Sequence, residues 1–167
     1  FSLDDLKVHE DTIYKLYKMV SDNARVNSFM LPENHFYTVK KALKDDFNVT
    51  GYFIENELVG FFSLIKNHQT LETYFLGYNR KLNHSYQLYL NMLYDMVAYG
   101  IKNQFKRIVF ARTAMEIKSS VGANPQPMLL YVKHTNHSIA NKTPAATAEP
   151  ITPETFGPMA CIKRWFC

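Results

Sequence analysis

Three apolar runs rich in β-branched and aromatic residues follow one another between residues 49 and 77, and this block constrains the fold most. The runs are Val49–Ile54, Leu58–Ile65 and Thr70–Gly77, with short polar breaks at 55–57 and 66–69. Such runs between polar connections are typical of strands joined by tight turns. The block therefore predicts an antiparallel meander of three strands.

Two helices are predicted before the meander. The first covers residues 12–22, where apolar residues recur at helical spacing and Asp11 and Thr12 are suited to cap the start. The second begins at Pro32, a residue favoured at the first helical position, and ends near Lys44. Both helices are expected to place one apolar side against the sheet.

A central helix is predicted after the meander, with Ser85 as its cap. Its apolar residues follow a period of 3.6 and define the expected core face, namely Leu90, Leu93, Tyr94, Val97 and Ile101. The short apolar strand Arg107–Ala111 comes next. A strand, helix, strand order at this spacing implies a right-handed crossover between parallel strands, so the sheet is expected to be mixed.

The rest of the chain combines one short helix, one strand and a tail. Thr113 and Glu116 form a T-x-x-E capping box, and Gly122 suits the left-handed end of the helix that follows. Pro125 and Pro127 are expected to break the chain before an apolar strand at residues 128–133. These features predict one domain over residues 1–133 and a Thr-, Pro- and Ala-rich tail over 134–167, whose apolar end docks on the domain or on a partner.

Composition narrows the class of protein. With 167 residues and 47% hydrophobic content, the chain has material for one core, and its longest apolar stretch is far shorter than the roughly 20 residues that span a bilayer. The only cysteines, Cys161 and Cys167, lie at the C-terminus, which favours a cytoplasmic, reducing compartment. A net charge of +4 without a basic stripe makes nucleic acid an unexpected partner, and the histidines lack the spacing of a metal site.

The predicted order α-α-β-β-β-α-β-α-β resembles the GNAT acyltransferase fold, an α/β (α+β) architecture with a mixed sheet, without its first strand. The segment Leu58–Lys133 is similar to the C-terminal GNAT-like domain of Fem-type ligases and related uncharacterised bacterial acyltransferases. Its most specific part is 111–123, which carries Arg112, Thr113, Glu116, Lys118, Gly122 and Ala123. Fem-type proteins have two such domains, so the resemblance implies an N-terminal domain beyond this chain and explains the start at Phe1.

The resemblance also implies where an acyl carrier such as acyl-CoA binds. A GNAT fold holds the pyrophosphate of coenzyme A at the start of the central helix, here Tyr78–Ser85. That segment lacks the glycine-rich loop of the family. Its polar and basic side chains, which are Arg80, Lys81, His84 and Ser85, then become the candidate carrier-binding residues. The alternative is an ordinary solvated loop.

Acyl transfer to an amine needs a proton acceptor and donors for the oxyanion, and the candidates are Glu72, Tyr74 and Tyr131. Glu72 and Tyr74 fall on one face of the third strand because strand side chains alternate. Arg112 and Lys118 are candidates for substrate binding near the carboxyl edge of the sheet, or for structural pairing.

Two functions remain open from the sequence. One is an acyltransferase that moves an acyl or aminoacyl group from a thioester or ester carrier to a small-molecule amine. The other is a non-catalytic GNAT-fold module for partner or domain interaction. Convergence of Arg80, Lys81, Arg112 and Lys118 on one cleft would favour the enzyme.

Overall fold

A computed structural model describes residues 1–23, 29–111 and 114–127, and the backbone of residues 159–163. The helices are α1 (Leu3–Val8), α2 (Glu10–Ser21), α3 (His35–Leu43), α4 (Arg80–Tyr86), α5 (Leu88–Lys102) and α6 (Met115–Ser120). The strands are β1 (Phe47–Ile54), β2 (Glu57–Asn67), β3 (Thr70–Tyr78), β4 (Arg107–Val109), β5 (Asn124–Gln126) and β6 (Met159–Lys163). The predicted α/β class is confirmed.

The strands form one mixed sheet in the order β1-β2-β3-β4-β6-β5. β1, β2 and β3 are the predicted antiparallel meander, and β4 lies parallel to β3 across the predicted crossover. β6 runs antiparallel to both β4 and β5, so residues 159–163 of the predicted tail lie within the sheet. The strand expected at residues 128–133 falls outside the described residues.

The two faces of the sheet carry separate hydrophobic cores. Helices α1, α2 and α3 cover one face, where Leu16, Phe36 and Phe61 are among the buried residues. Helix α5 covers the other face, where Met92 and Met96 pack on residues of β2, β3 and β4. The meander is therefore buried on both sides, which explains the near-continuous apolar run of β2.

The starts of the first two predicted helices were wrong by a few residues. α2 begins at Glu10 after His9, so Asp11 and Thr12 lie in its first turn and do not cap it. α3 begins at His35 after Asn34, and the carbonyl of Pro32 accepts a hydrogen bond from the His35 N–H. Among the described residues no strand precedes the helices. The first element is the additional helix α1, which a capping box of Ser2 and Asp5 starts.

The face predicted for the central helix was wrong in part, since Leu93 is buried as predicted and Val97 packs on the same core. α5 buries Leu88, Met92, Leu93, Met96 and Gly100, whereas Tyr94 and Ile101 are 52% and 57% exposed. The helix is apolar on most of its surface, so periodicity alone does not select the buried side. Packing selects it at Gly100, where a Cβ atom would lie 2.4 Å from the Ile108 side chain.

Thr113 of the predicted capping box lies outside the described residues, and the structure gives α6 a different N-cap. α6 begins at Met115, and its N-cap is Ala114, which is left-handed (φ 51°) and makes no side-chain cap. The predicted end is confirmed, since Gly122 has φ +87° and its N–H donates to Ser119. The Ala123 N–H donates to the Lys118 carbonyl and completes a Schellman motif.

The break expected at Pro125 was wrong as well, because Pro125 lies within β5. Among the described strands, β5 lies at the edge of the sheet and pairs with β6. An edge strand tolerates proline because one of its sides needs no N–H donor.

Candidate functional site

The candidate site is an open edge of β3. β4 pairs with β3 only through Thr70, Leu71 and Glu72, but β3 continues to Tyr78. From Thr73 to Tyr78, no strand among the described residues pairs with the side of β3 that faces away from β2. This length of unpaired backbone is the "open edge" below. Unpaired strand edges present N–H and C=O groups to a ligand.

A β-bulge lies at the start of the open edge. Phe62 is opposite Leu76 and Leu64 is opposite Thr73, so Tyr74 and Phe75 together face the single residue Ser63. Ser63 is fully buried, and its Oγ donates a hydrogen bond of 2.6 Å to the carbonyl oxygen of Phe75. This bond fixes the bulge against β2.

The pairing pattern fixes where the backbone N–H groups point. The Asn79 N–H donates to the Val59 carbonyl at 2.8 Å, which makes these residues a hydrogen-bonded pair. Bonded and non-bonded pairs alternate in an antiparallel ladder, so the Tyr78 and Leu76 pairs are non-bonded and their N–H groups point away from β2. The Phe75 carbonyl points at Ser63, and a planar trans peptide then directs the Leu76 N–H to the opposite side. Both arguments place the Leu76 N–H at the open edge.

A histidine and a tyrosine meet beside the bulge. The Tyr74 hydroxyl lies 3.1 Å from His35 Nε2, and the two rings stack with centroids 5.8 Å apart. Phe75 packs edge-on against both rings. Burial lowers the pKa of His35 and, together with the neighbouring Tyr17, raises the pKa of Tyr74. A neutral imidazole with its proton on Nδ1 accepts the Tyr74 hydrogen bond at Nε2.

Glu72, which the sequence places on the same face as Tyr74, lies at the closed end of the opening. It is opposite Val109 in the last β3–β4 pair. Burial raises the pKa of Glu72, while an Asn67 hydrogen bond and the Arg107 charge oppose that effect. Glu72 is four positions from Leu76 along the strand, roughly 13 Å, whereas Tyr74 is two positions from Leu76. Sequence reasoning did not find His35, since only the packing of α3 on β3 brings it to Tyr74.

The predicted carrier-binding residues Arg80, Lys81, His84 and Ser85 all lie on α4 and are exposed. Ser85 does not cap the central helix, because α5 begins at Leu88 after Gln87, which is left-handed at φ 49°. The short basic helix α4 therefore follows the carboxyl end of the open edge, and the chain turns sharply between α4 and α5.

Several backbone N–H groups at this junction already have acceptors within the protein. Asn79 Oδ1 accepts from the Lys81 N–H at 3.1 Å, and the Asn79 carbonyl accepts from Leu82. Asn83 Oδ1 accepts from the Tyr89 N–H of α5 at 2.9 Å. A diphosphate needs such N–H groups free and needs a glycine-like approach of the backbone. The junction does not fit the backbone cradle that the fold implies for coenzyme A.

Lys118 lies inside the protein. It is 6% exposed, and its Nζ donates to the Phe110 carbonyl at 2.7 Å. Burial lowers the pKa of Lys118 to about 8. The bond joins α6 to the end of β4, next to Ala111 with its positive φ of 37°. Arg112, Thr113 and Tyr131 lie outside the described residues.

The described residues contain neither a metal-binding cluster nor a membrane-spanning helix. No group of three or more His, Cys, Asp or Glu side chains there could hold a metal ion. No helix in that part of the chain is long and apolar enough to cross a membrane.

Comparison with solved structures bears on this arrangement. The chain is similar to the PaiA N-acetyltransferase from Thermoplasma acidophilum, in complex with coenzyme A (TM-score 0.62, 12% identity, 98% of this chain and 96% of that chain). It is also similar to the ribosomal-protein-alanine N-acetyltransferase from Brucella melitensis (0.63, 10%, 95% and 95%). A third neighbour is a GCN5-related N-acetyltransferase from Kribbella flavida (0.62, 10%, 94% and 93%).

The chain has the GNAT fold. At these identities the likeness extends to the fold alone. No protein-family model matches the sequence, and no curated protein matches it significantly. The predicted resemblance to the GNAT fold is confirmed, and the closer resemblance to Fem-type ligases stays a prediction.

Proposed function

We propose that this chain is an N-acyltransferase that moves an acyl group from the thioester of a pantetheine-type carrier, as in acyl-CoA or a related acyl carrier, to a primary amine. The observation that carries the proposal is the open edge of β3 with the Leu76 N–H directed into it. The GNAT fold of the chain supports the same reaction class.

The open edge suits the extended, amide-bearing arm of such a carrier. An arm that lies along β3 would receive backbone hydrogen bonds as an added strand does, with the Tyr78 and Leu76 N–H groups as donors. At Leu76 the donor would meet the acyl carbonyl, whose oxygen becomes negative when the amine attacks. Fixed N–H donors at that oxygen stabilise the transition state more than the ground state.

Tyr74 and His35 are the groups we assign to proton transfer. The amine attacks the thioester carbon, the C–S bond breaks, and an amide and a free thiol result. The attacking nitrogen loses one proton to the Tyr74 oxygen while the Tyr74 proton passes to His35 Nε2. The leaving thiolate then takes up one proton through the Tyr74 hydroxyl, and His35 returns its proton to Tyr74. His35 suits this role because its lowered pKa keeps the imidazole neutral near pH 7.

Glu72, Tyr131, Arg112 and Lys118 stay predictions as site residues. The same holds for a small-molecule amine as acceptor, for a Fem-like N-terminal partner domain and for a cytoplasmic location. The non-catalytic module remains the second candidate, since the occupied N–H groups at the α4–α5 junction and the exposed Tyr94 and Ile101 of α5 also suit a protein that binds partners.

The test measures thiol release from acetyl-, propionyl- and octanoyl-pantetheine with a panel of primary amines. We expect release that depends on the amine and saturates with it. Tyr74→Phe should lower kcat by about 10²-fold or more, as expected for loss of a proton-transfer group. Tyr94→Phe is the matched control, because Tyr94 is exposed on α5.

The pH profile separates His35 from a structural role. His35 must be neutral to accept the proton, so kcat/KM should decrease as the pH is lowered, with an apparent pKa below the ordinary 6.5 of histidine. His35→Gln should abolish this decrease at low pH. If no amine gives release with any donor, the chain is the non-catalytic module. Equal rates for Tyr74→Phe and Tyr94→Phe would transfer the role to another residue, with Glu72 first.

A further inference from the structure

We propose that the acyl donor is an acidic acyl carrier protein, which presents its acylated phosphopantetheine arm to the open edge of β3 and docks on helix α4. This inference rests on the proposed function and names the donor for the same site. A carrier protein and coenzyme A both present a phosphopantetheine arm, and the experiment below distinguishes these two donors.

The first argument concerns what lies beyond the arm. Coenzyme A adds a nucleotide diphosphate at the carboxyl end of β3, where several backbone donors are already bonded within the protein. The Asn79 N–H is bonded to Val59, the Lys81 N–H to the Asn79 side chain, and the Tyr89 N–H to the Asn83 side chain. Between Gly77 and Gly100 the sequence has no glycine that would let a phosphate approach the backbone.

The second argument concerns the shape and charge of α4. The helix reads RKLNHSY, without an acidic residue, and it exposes Arg80, Lys81 and His84. Charges on the outside of a helix can reach a broad, oppositely charged surface, whereas a diphosphate is best held by groups that converge on it. An acidic protein surface therefore fits α4 better than a nucleotide does.

The third argument concerns an exposed aromatic residue on the same helix. Tyr86, the last residue of α4, is 48% exposed. Tyrosine and arginine are the side chains most enriched where protein partners meet. α4 therefore combines a basic surface with an exposed aromatic residue on the helix that follows the open edge.

The experiment compares three non-reactive thioethers by calorimetry: S-propyl-pantetheine, S-propyl-CoA and a bacterial acyl carrier protein with an S-propyl phosphopantetheine arm. We expect the loaded carrier protein to bind at least tenfold more tightly than S-propyl-pantetheine. S-propyl-CoA should bind within about twofold of S-propyl-pantetheine, since the nucleotide finds no cradle.

A charge reversal locates the surface. The double variant Arg80→Glu, Lys81→Glu should weaken carrier-protein binding about tenfold and leave S-propyl-pantetheine binding unchanged. Lys102→Glu is the control, because Lys102 is an exposed lysine at the far end of α5, about 22 Å along that helix. Higher salt should weaken only the carrier-protein complex.

Three outcomes overturn the inference. S-propyl-CoA that binds tenfold more tightly than S-propyl-pantetheine would show that the nucleotide is recognised, and the proposed function would stand. Docking on α4 would be refuted if the loaded carrier protein bound no more tightly than S-propyl-pantetheine, or if the charge reversal did not weaken its binding. Either result would leave the proposed function intact. No binding of any thioether would overturn the proposed function and this inference together.

Discussion

The hydrogen bond from Ser63 to the β3 bulge allows a sharp test of how the open edge is held. The Ser63 side chain is 0% exposed, and its Oγ lies 2.6 Å from the Phe75 carbonyl oxygen. Ser63→Ala removes the donor and leaves that carbonyl without its serine partner, away from water. Such a loss costs about 1–3 kcal/mol in the free energy of unfolding.

Ser120→Ala is the matched control. Ser120 Oγ also donates to a backbone carbonyl, that of Ile117, at the similar distance of 2.7 Å, but in an exposed helical turn. Water replaces that bond, and alanine favours the helix, so we expect a change near zero. The two substitutions remove the same chemical group from bonds of nearly equal length and differ in burial.

The assay is thermal unfolding followed by circular dichroism, with S-propyl-pantetheine binding as a second measurement. Ser63→Ala should lower the melting temperature by roughly 2–4 °C for each kcal/mol and should also weaken thioether binding, since the bulge directs the Leu76 N–H. Equal stability of the Ser63 and Ser120 variants would refute the view that Ser63 fixes the bulge. A destabilised Ser63 variant with unchanged thioether binding would separate the bulge from the ligand.

Two further predictions concern packing and charge. Gly77→Ala should lower the free energy of unfolding by about 1–3 kcal/mol or more, because the new Cβ would lie 2.4 Å from the backbone of Leu16 and Tyr17. Gly60→Ala should cost less, because its Cβ would lie 2.6 Å from the terminal methyl of Met92, which can move. Equal melting temperatures of the two variants would contradict this prediction. The pKa of Lys118 is about 8 in the folded protein and 10.5 ordinarily, so the unfolded chain binds more protons between these values, and the stability of the wild type relative to Lys118→Met should rise with pH from 8 to 10. Urea unfolding at both pH values measures this, and a constant difference would refute it.

Local patterns predicted the elements of the fold well where each pattern has one physical solution. The alternating and β-branched runs of β1, β2 and β3 permit little besides strands, and Gly122 provides the left-handed conformation that ends α6. Helix starts were less certain because several polar residues near each start can serve as caps. Ser85 and Thr113 are such cases, and the structure places the starts of α5 and α6 elsewhere.

The candidate site was predicted only in part from the sequence. Tyr74 was selected from its place on the third strand, but its partner His35 is 39 residues away along the chain and has no sequence signal that links them. The backbone donors were missed altogether, since the direction of an N–H group depends on strand register. α4 was read as a loop because its residues have no apolar period.

The sequence by itself determined the class of fold, the antiparallel meander and the crossover to a parallel strand, because hydrophobic period and turn residues act over a few neighbouring positions. Only the tertiary structure decided which side of α5 is buried, how soon β4 leaves β3, and that the Leu76 N–H points into the opening. Those features depend on contacts between different elements of the fold, such as Gly100 with Ile108 and Ser63 with Phe75, whose geometry no local pattern records.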